Sequence, residues 1–122
     1  MQSSRIYADG EIIFEMATKP SEWLFSVKFW NEVNEQCNTF FDQYEEDNLT
    51  EVVGSVVVNK LEELCQKLEL ETSGDIEFCR GWNADGELRE SISKDILLNA
   101  ISEFKYKLSA AIASGSAISL SL

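Results

Sequence analysis

Carboxylates are the one chemically capable residue type that this sequence gathers in one place. Glu32, Glu35, Asp42 and Glu46 follow one another at separations of 3, 7 and 4 residues, which puts all four on one stripe of a helix. Tyr44, Glu45, Asp47 and Glu51 fall in the same stretch. A pair such as Asp42 and Glu46 could hold a divalent ion or divide the work of general acid and base. On an exposed helical face, however, carboxylates lack the burial that shifts a pKa, so the spacing favours a binding surface over a catalytic pair. Other chemistries lack their residues. The chain has no histidine, which removes the Ser-His-Asp, Cys-His and HExxH arrangements. Its six glycines are isolated, so there is no phosphate-cradling loop and no dinucleotide fingerprint. Asn83-Ala84-Asp85-Gly86 echoes a calcium loop, but the first and twelfth ligand positions would be Gly81 and Ile92. The residues therefore predict no enzyme activity, no cofactor and no metal.

The acid is regional. Residues 29–79 carry thirteen Asp and Glu against Lys60 and Lys67, which accounts for −11 of the net charge of −12. No basic residue lies between Lys28 and Lys60. Glu51, Glu62 and Glu69 share a second helical face. Like charges at i,i+4 cost a helix about 0.2–0.5 kcal/mol per pair, so stability alone would have mixed in lysines. A solvated face that keeps the protein soluble accounts for any single acid in this set. The asymmetric block as a whole favours a basic partner, because of the field it makes. Phosphate backbones and anionic membranes should be repelled, so no direct nucleic-acid or membrane contact is expected. Aromatics interleave with acids here and not with Lys or Arg, which argues against base stacking.

The elements that must position these acids can be read from periodicity. At 122 residues and 44% hydrophobic content, the chain is long enough for one domain with a real core, spanning 1–122. The central stretch Leu49 to Glu71 repeats Val53, Val57, Leu61, Leu64 and Leu68 at helical spacing, with Asn48 and Glu51 as a capping-box-like start. Gly54 and the β-branched run speak against it only mildly. Asn31 would cap a preceding helix whose face is Val33, Cys37, Phe40, Phe41 and Tyr44, packed with the central one as an αα-hairpin. A third helix runs from about Lys94 to Ser114, capped by Ser93 and ended by Gly115.

Ala-Asp-Gly-Glu occurs at 8–11 and 84–87, and each copy reads as a type I′ hairpin turn. The first joins Ser4–Ala8 to Glu11–Ala17, and the second joins Asp75–Trp82 to Glu87–Ile92. Trp23 to Trp30 fits a strand or a backward extension of the next helix; its aromatic content and the preceding Pro20 favour a strand. Trp23, Trp30 and Trp82 are expected in the core. The tail Ala117–Leu122 alternates as a last edge strand or a frayed end. The fold class is α+β, with antiparallel hairpins packed against about three helices.

Cys37, Cys65 and Cys79 form neither a disulfide framework nor a zinc pattern, and a reducing cytoplasm suits them. The start has no apolar h-region, so no signal peptide is expected, and Leu108 to Leu122 is too short and too rich in serine to span a bilayer.

In this general character the whole chain resembles a bacterial immunity protein of the polymorphic-toxin kind, of the type paired with contact-dependent growth-inhibition toxins. It is small, acidic and α+β, has no catalytic signature, and places an acid-rich helical hairpin at Glu32–Glu71. The family shares no motif, so the resemblance transfers no residue. What it implies is a function: binding one cognate basic toxin domain, a nuclease among the candidates, as a monomer in a 1:1 complex, and covering its active site or substrate groove. The residues that would do so are Glu32, Glu35, Asp42, Tyr44, Glu45, Glu46, Asp47 and Glu51. A small acidic secretion or assembly chaperone is the alternative; it would be a homodimer with Leu24, Phe25 and the tail at the contact. A DNA mimic would need longer acidic rows than −12 supplies.

Overall fold

In the computed structural model, which describes residues 3–70 and 74–122, both Ala-Asp-Gly-Glu repeats close hairpins. The chain begins β1 (Ser4–Ala8), β2 (Glu11–Met16), α1 (Thr18–Ser26), α2 (Phe29–Cys37) and β3 (Glu46–Leu49). It continues α3 (Glu51–Leu70), β4 (Asp75–Asn83), β5 (Gly86–Ser93), α4 (Lys94–Ala113) and β6 (Ile118–Ser121). This is an α+β fold. One antiparallel sheet has the order β2-β1-β6-β3, and β4 and β5 form a separate hairpin. Glu71, the expected end of the central stretch, lies outside the described residues.

The repeated tetrapeptide makes two different turns. Asp9 and Gly10 take φ of 51° and 85°, as type I′ demands. In the second copy the two turn residues are Ala84 and Asp85, one position earlier than the spacing predicts. The Asn83 side chain accepts the Asp85 N–H at 2.8 Å, and Gly86 at φ 119° absorbs the positive angle.

Trp23 to Trp30 is helical, correcting the strand expectation. Pro20 sits in the first turn of α1, where its missing N–H is harmless. Trp23 and Leu24 are buried on that helix, Lys28 breaks the chain at φ 62°, and α2 starts again at Phe29. Packing of both helices overrides the β propensity of the aromatics. The helix expected from Asn31 through Tyr44 starts two residues earlier and stops at Cys37. Its stop is chemical: Asn34 Oδ1 accepts from Thr39 Oγ1 and from the Phe41 N–H, while Nδ2 donates to the Phe41 carbonyl. Asn38 turns left-handed at φ 58°, which no continued helix allows. As a result Phe41 is buried, but Phe40 points out at 86% exposed.

A short strand, β3, replaces the expected direct helix–helix connection. Asn48 therefore pairs with Ser119 in the sheet, and the cap of α3 falls to Thr50, whose Oγ1 accepts the Val53 N–H. Gly54 is buried in α3, where an added Cβ would lie 2.8 Å from Ile112 Cδ1. The glycine is thus a contact point between α3 and α4, not a flaw in the helix. In α4, Ser93 Oγ accepts the Ile96 N–H as expected, and Leu97, Ile101, Phe104, Leu108 and Ala111 face inward. The tail is neither frayed nor an edge. β6 lies between β1 and β3, with Ile118, Leu120 and Leu122 buried on one face.

Enlarging Gly54 should separate the two long helices. Gly54→Leu is expected to lower the unfolding free energy by about 1–3 kcal/mol, while Gly54→Ala, which displaces only the tip of Ile112, stays within about 1 kcal/mol of the parent. Urea melts followed by circular dichroism measure both.

Candidate functional site

The acids singled out by spacing do not share a helix. Glu32 and Glu35 are exposed on α2, Asp42, Tyr44 and Glu45 lie in the connection after it, Glu46 and Asp47 are in β3, and Glu51 opens α3. The single stripe is therefore corrected to two separate placements. Asp42 to Glu51 is one continuous run that turns from loop to edge strand to helix N-terminus. Glu32 is drawn elsewhere: its carboxylate lies 3.6 Å from Lys60 Nζ.

The run from Asp42 to Glu51 is held at both ends by buried side chains, Phe41 and Leu49, at 4% and 6% exposed. Two backbone bonds tie it to the sheet: the Tyr44 N–H donates to the Leu122 carbonyl at 3.1 Å, and the Leu122 N–H donates to the Glu45 carbonyl at 3.0 Å. Tyr44 takes φ 64° and projects its ring to solvent at 67% exposed. With Phe40 it frames the acids in two exposed aromatics, a composition that suits a protein contact.

Along β3 the side chains alternate. Leu49 and Asp47 point toward the core side, and Glu46 and Asn48 point away from it. Asp47 Oδ2 is buried and has no hydrogen-bond partner among the described residues. Glu46 receives only a long bond, 3.5 Å, from Ser119 Oγ. Among the described residues no ion pair includes Glu35, Asp42, Glu45, Glu46, Asp47 or Glu51. The acids of the β4–β5 hairpin behave differently: Glu77, Glu87 and Glu90 are paired with Arg80, Arg89 or Lys19. Glu62 of α3 is paired with Lys105 of α4 and has its pKa lowered by that hydrogen bond. Among the described residues, intramolecular cations thus pair with six of the carboxylates and with none from Asp42 to Glu51; Glu11, Glu63 and Glu103 are unpaired as well, but only the Asp42–Glu51 run gathers five acids within ten residues.

A cavity of about 400 Å³ opens between α1, α2, α3 and β4, with Trp23, Phe29, Leu64 and Leu68 among its walls. Lys60 and Lys67, the two cations of residues 29–79, both line it, and Glu32, Glu63 and Glu77 share its rim. Nothing in the sequence marked this cavity, because its walls come from four elements. Periodicity also missed the exposure of Phe40 and of Trp82, which stands 73% exposed on β4. Cys65 is buried, Cys37 and Cys79 are half-buried, and all three are free. Among the described residues no group of three or more His, Cys, Asp or Glu is arranged to hold a metal ion, and no helix is long and apolar enough to cross a membrane.

No protein-family model matches the chain, and no curated protein sequence or solved structure does either. The surface itself has to carry the functional argument.

Away from the acidic run, Glu22 on α1 also has a buried carboxylate oxygen, Oε2, without a hydrogen-bond partner among the described residues. The residue is 8% exposed. Burial raises its pKa above the ordinary carboxylate value; Arg80 opposes the shift and Glu90 adds to it. The folded protein therefore holds this proton more tightly than the unfolded chain does. The cost of Glu22 is absent below the ordinary carboxylate range and grows as pH rises through the raised value. Glu22→Gln is expected to raise Tm at neutral pH, with the advantage vanishing as pH falls through the carboxylate range. Thermal melts across that range measure it, and an advantage that grows on acidification would contradict the assignment.

Proposed function

We propose that this protein is an inhibitory binding protein of the toxin-immunity kind. It docks a basic protein domain on the Asp42–Glu51 run and so covers that domain's active site or substrate groove. The observation that carries this is the set of carboxylates gathered on one fixed segment, with no cation paired to them among the described residues. A domain that handles phosphate must present positive charge, and a concentrated negative surface is steered to the same place its substrate occupies. Asp42, Glu45, Glu46, Asp47 and Glu51 supply the field, Tyr44 supplies an aromatic contact, and Glu35 extends the charge along α2. Glu32 plays the smaller part because Lys60 already faces it. The protein acts in the cytoplasm as a monomer that forms a 1:1 complex, by binding and not by turnover.

The chaperone alternative needs Leu24, Phe25 and the tail at a dimer contact, and of these Phe25 is half-buried, its ring 6.5 Å from that of Trp30. Leu24 is 0% exposed, and Leu120 and Leu122 are 0% and 2% exposed, so a half-buried Phe25 is all that they leave for the apolar groove that alternative requires.

The partner to test is a basic toxin domain encoded beside this chain. Stopped-flow association with that domain is expected to slow by about tenfold or more between low and high salt, since screening at about 1 M shortens the Debye length to about 3 Å. Reversing the exposed Asp42, Glu45 and Glu46 to lysine together should slow association in low salt to the high-salt rate, with dissociation of the parent complex less salt-sensitive than association. An association rate indifferent to both salt and charge reversal would refute steering by this surface.

A further inference from the structure

We propose that the open edge of β3 receives one extended, cationic strand of the partner, which continues the four-stranded sheet by backbone hydrogen bonds. The proposal rests on the inhibitory reading above and goes further, because it names how the contact is made.

β3 is an outer strand of the order β2-β1-β6-β3, so one of its edges is unpaired. The bond from the Leu122 N–H to the Glu45 carbonyl sets which residues face β6. By the alternation of an antiparallel ladder, Asp47 and Leu49 also turn their backbone groups to β6, opposite Leu120 and Ile118. Glu46 and Asn48 then turn their N–H and C=O groups outward. Behind this edge the sheet is fixed, since β6 is paired on both sides by β1 and β3. An incoming strand therefore meets donors and acceptors already in place and need not order them.

Charge decides which strand can bind. On the other outer strands some carboxylates meet internal cations: Glu15 of β2 pairs with Arg5, Glu77 of β4 with Arg89, and Glu90 of β5 with Lys19 and Arg80, while Glu11 of β2 and Asp75 of β4 have no ion pair among the described residues. On β3 neither Glu46 nor Asp47 has one among the described residues. A second copy of this chain would bring its own exposed Glu45 and Glu46 to this edge, and like charges brought close across a strand pair destabilise it. A neutral strand would find the backbone groups without the attraction. A strand carrying Lys or Arg at alternate positions would find both, with one sign of charge over Glu46. The same device that protects this edge from self-association thus admits a cationic strand.

The test uses the isotope-labelled full chain and three probes: a short synthetic peptide alternating lysine with threonine and valine, its glutamate-for-lysine counterpart, and the lysine peptide N-methylated on every second amide. The lysine peptide is expected to shift the amide resonances of Glu46 and Asn48 and to slow their hydrogen exchange. The Asp47 and Leu49 amides, already bonded to β6, should keep their exchange rates. The glutamate peptide should not bind, and the peptide N-methylated along its bonding edge should lose at least about fivefold in affinity. Asn48→Pro removes an outward donor without changing charge and should weaken the lysine peptide to a similar degree, about fivefold.

Three results would overturn the proposal: equal binding of the N-methylated and parent peptides, equal binding of the glutamate peptide, or no shift at millimolar lysine peptide. Protection of Glu46 and Asn48 by rising protein concentration alone would assign the edge to a second copy and overturn it as well. Equal affinity of the N-methylated and parent peptides, together with salt-dependent association of the toxin domain, would leave charge-steered inhibition standing and remove only the strand contact. Salt-independent toxin association would remove the broader reading.

Discussion

The ring of Phe104 joins the two halves of this molecule. It meets Phe14 of β2 edge-on at 5.8 Å and Trp30 of α2 at 6.4 Å, so a single residue of α4 touches both the sheet and the short helices. Trp30 in turn contacts Phe29 at 4.9 Å and Phe41 at 5.6 Å. Full burial of such side chains is worth about 1.5–3 kcal/mol each, with about 0.5–1.5 kcal/mol more for a well-placed aromatic pair. Trp30 Nε1 is buried without an acceptor among the described residues, a cost of about 1–3 kcal/mol. The cluster's several burials and ring contacts outweigh that single unpaired donor, so the indole stays inside. Everything that presents the acidic run leans on this cluster, because Phe41 is both a member of it and the anchor at which the run begins.

That arrangement separates what folds the protein from what charges its surface. From Asp42 to Glu51 the core takes Leu49 and the β3 backbone that pairs with β6, and not the exposed carboxylates. The run is fastened by Asn34, which fixes the backbone at Phe41, and by the two backbone bonds to Leu122. Its carboxylates are therefore free to answer to a partner. Elsewhere some acids are met internally: the hairpin pairs Glu77 and Glu87 with Arg89, and α3 hands Glu62 to Lys105. Which acids meet a cation is a property of the folded chain that no count of acids reveals.

Local signals were legible where they were self-sufficient. Asp-Gly marked both hairpins, Ser93 marked a helix start, and the spacing of Val57, Leu61 and Leu68 marked the central helix. Signals failed where a distant residue decides. Asn34 ends α2 by bonding across to Phe41, and a run that reads as continuous helix gives no sign of it. β3 is too short to show a period, and Asn48, a good cap by type, serves as a strand residue because Ser119 pairs with it. Gly54 reads as a weak point until Ile112 is seen against it. Of the candidate surface, the concentration of charge could be read directly. Its shape could not, because the edge exists only once β6 has taken its place beside β3.

The position of β6 also bears on how the protein comes into being. Arg5 and Ser121 are neighbours in the sheet, although almost the whole chain separates them. During synthesis β1, β2 and β3 emerge early, yet nothing connects the hairpin to β3 until the segment from Ile118 onward has appeared. Helices and hairpins can form beforehand from near neighbours, but closure of the sheet must wait for a contact of the longest range, the slowest kind to make. Until then a nascent chain carries two unjoined strand edges that invite wrong partners. The acids along β3 guard one of those edges during the wait, so the same carboxylates serve the chain before it has a fold to defend.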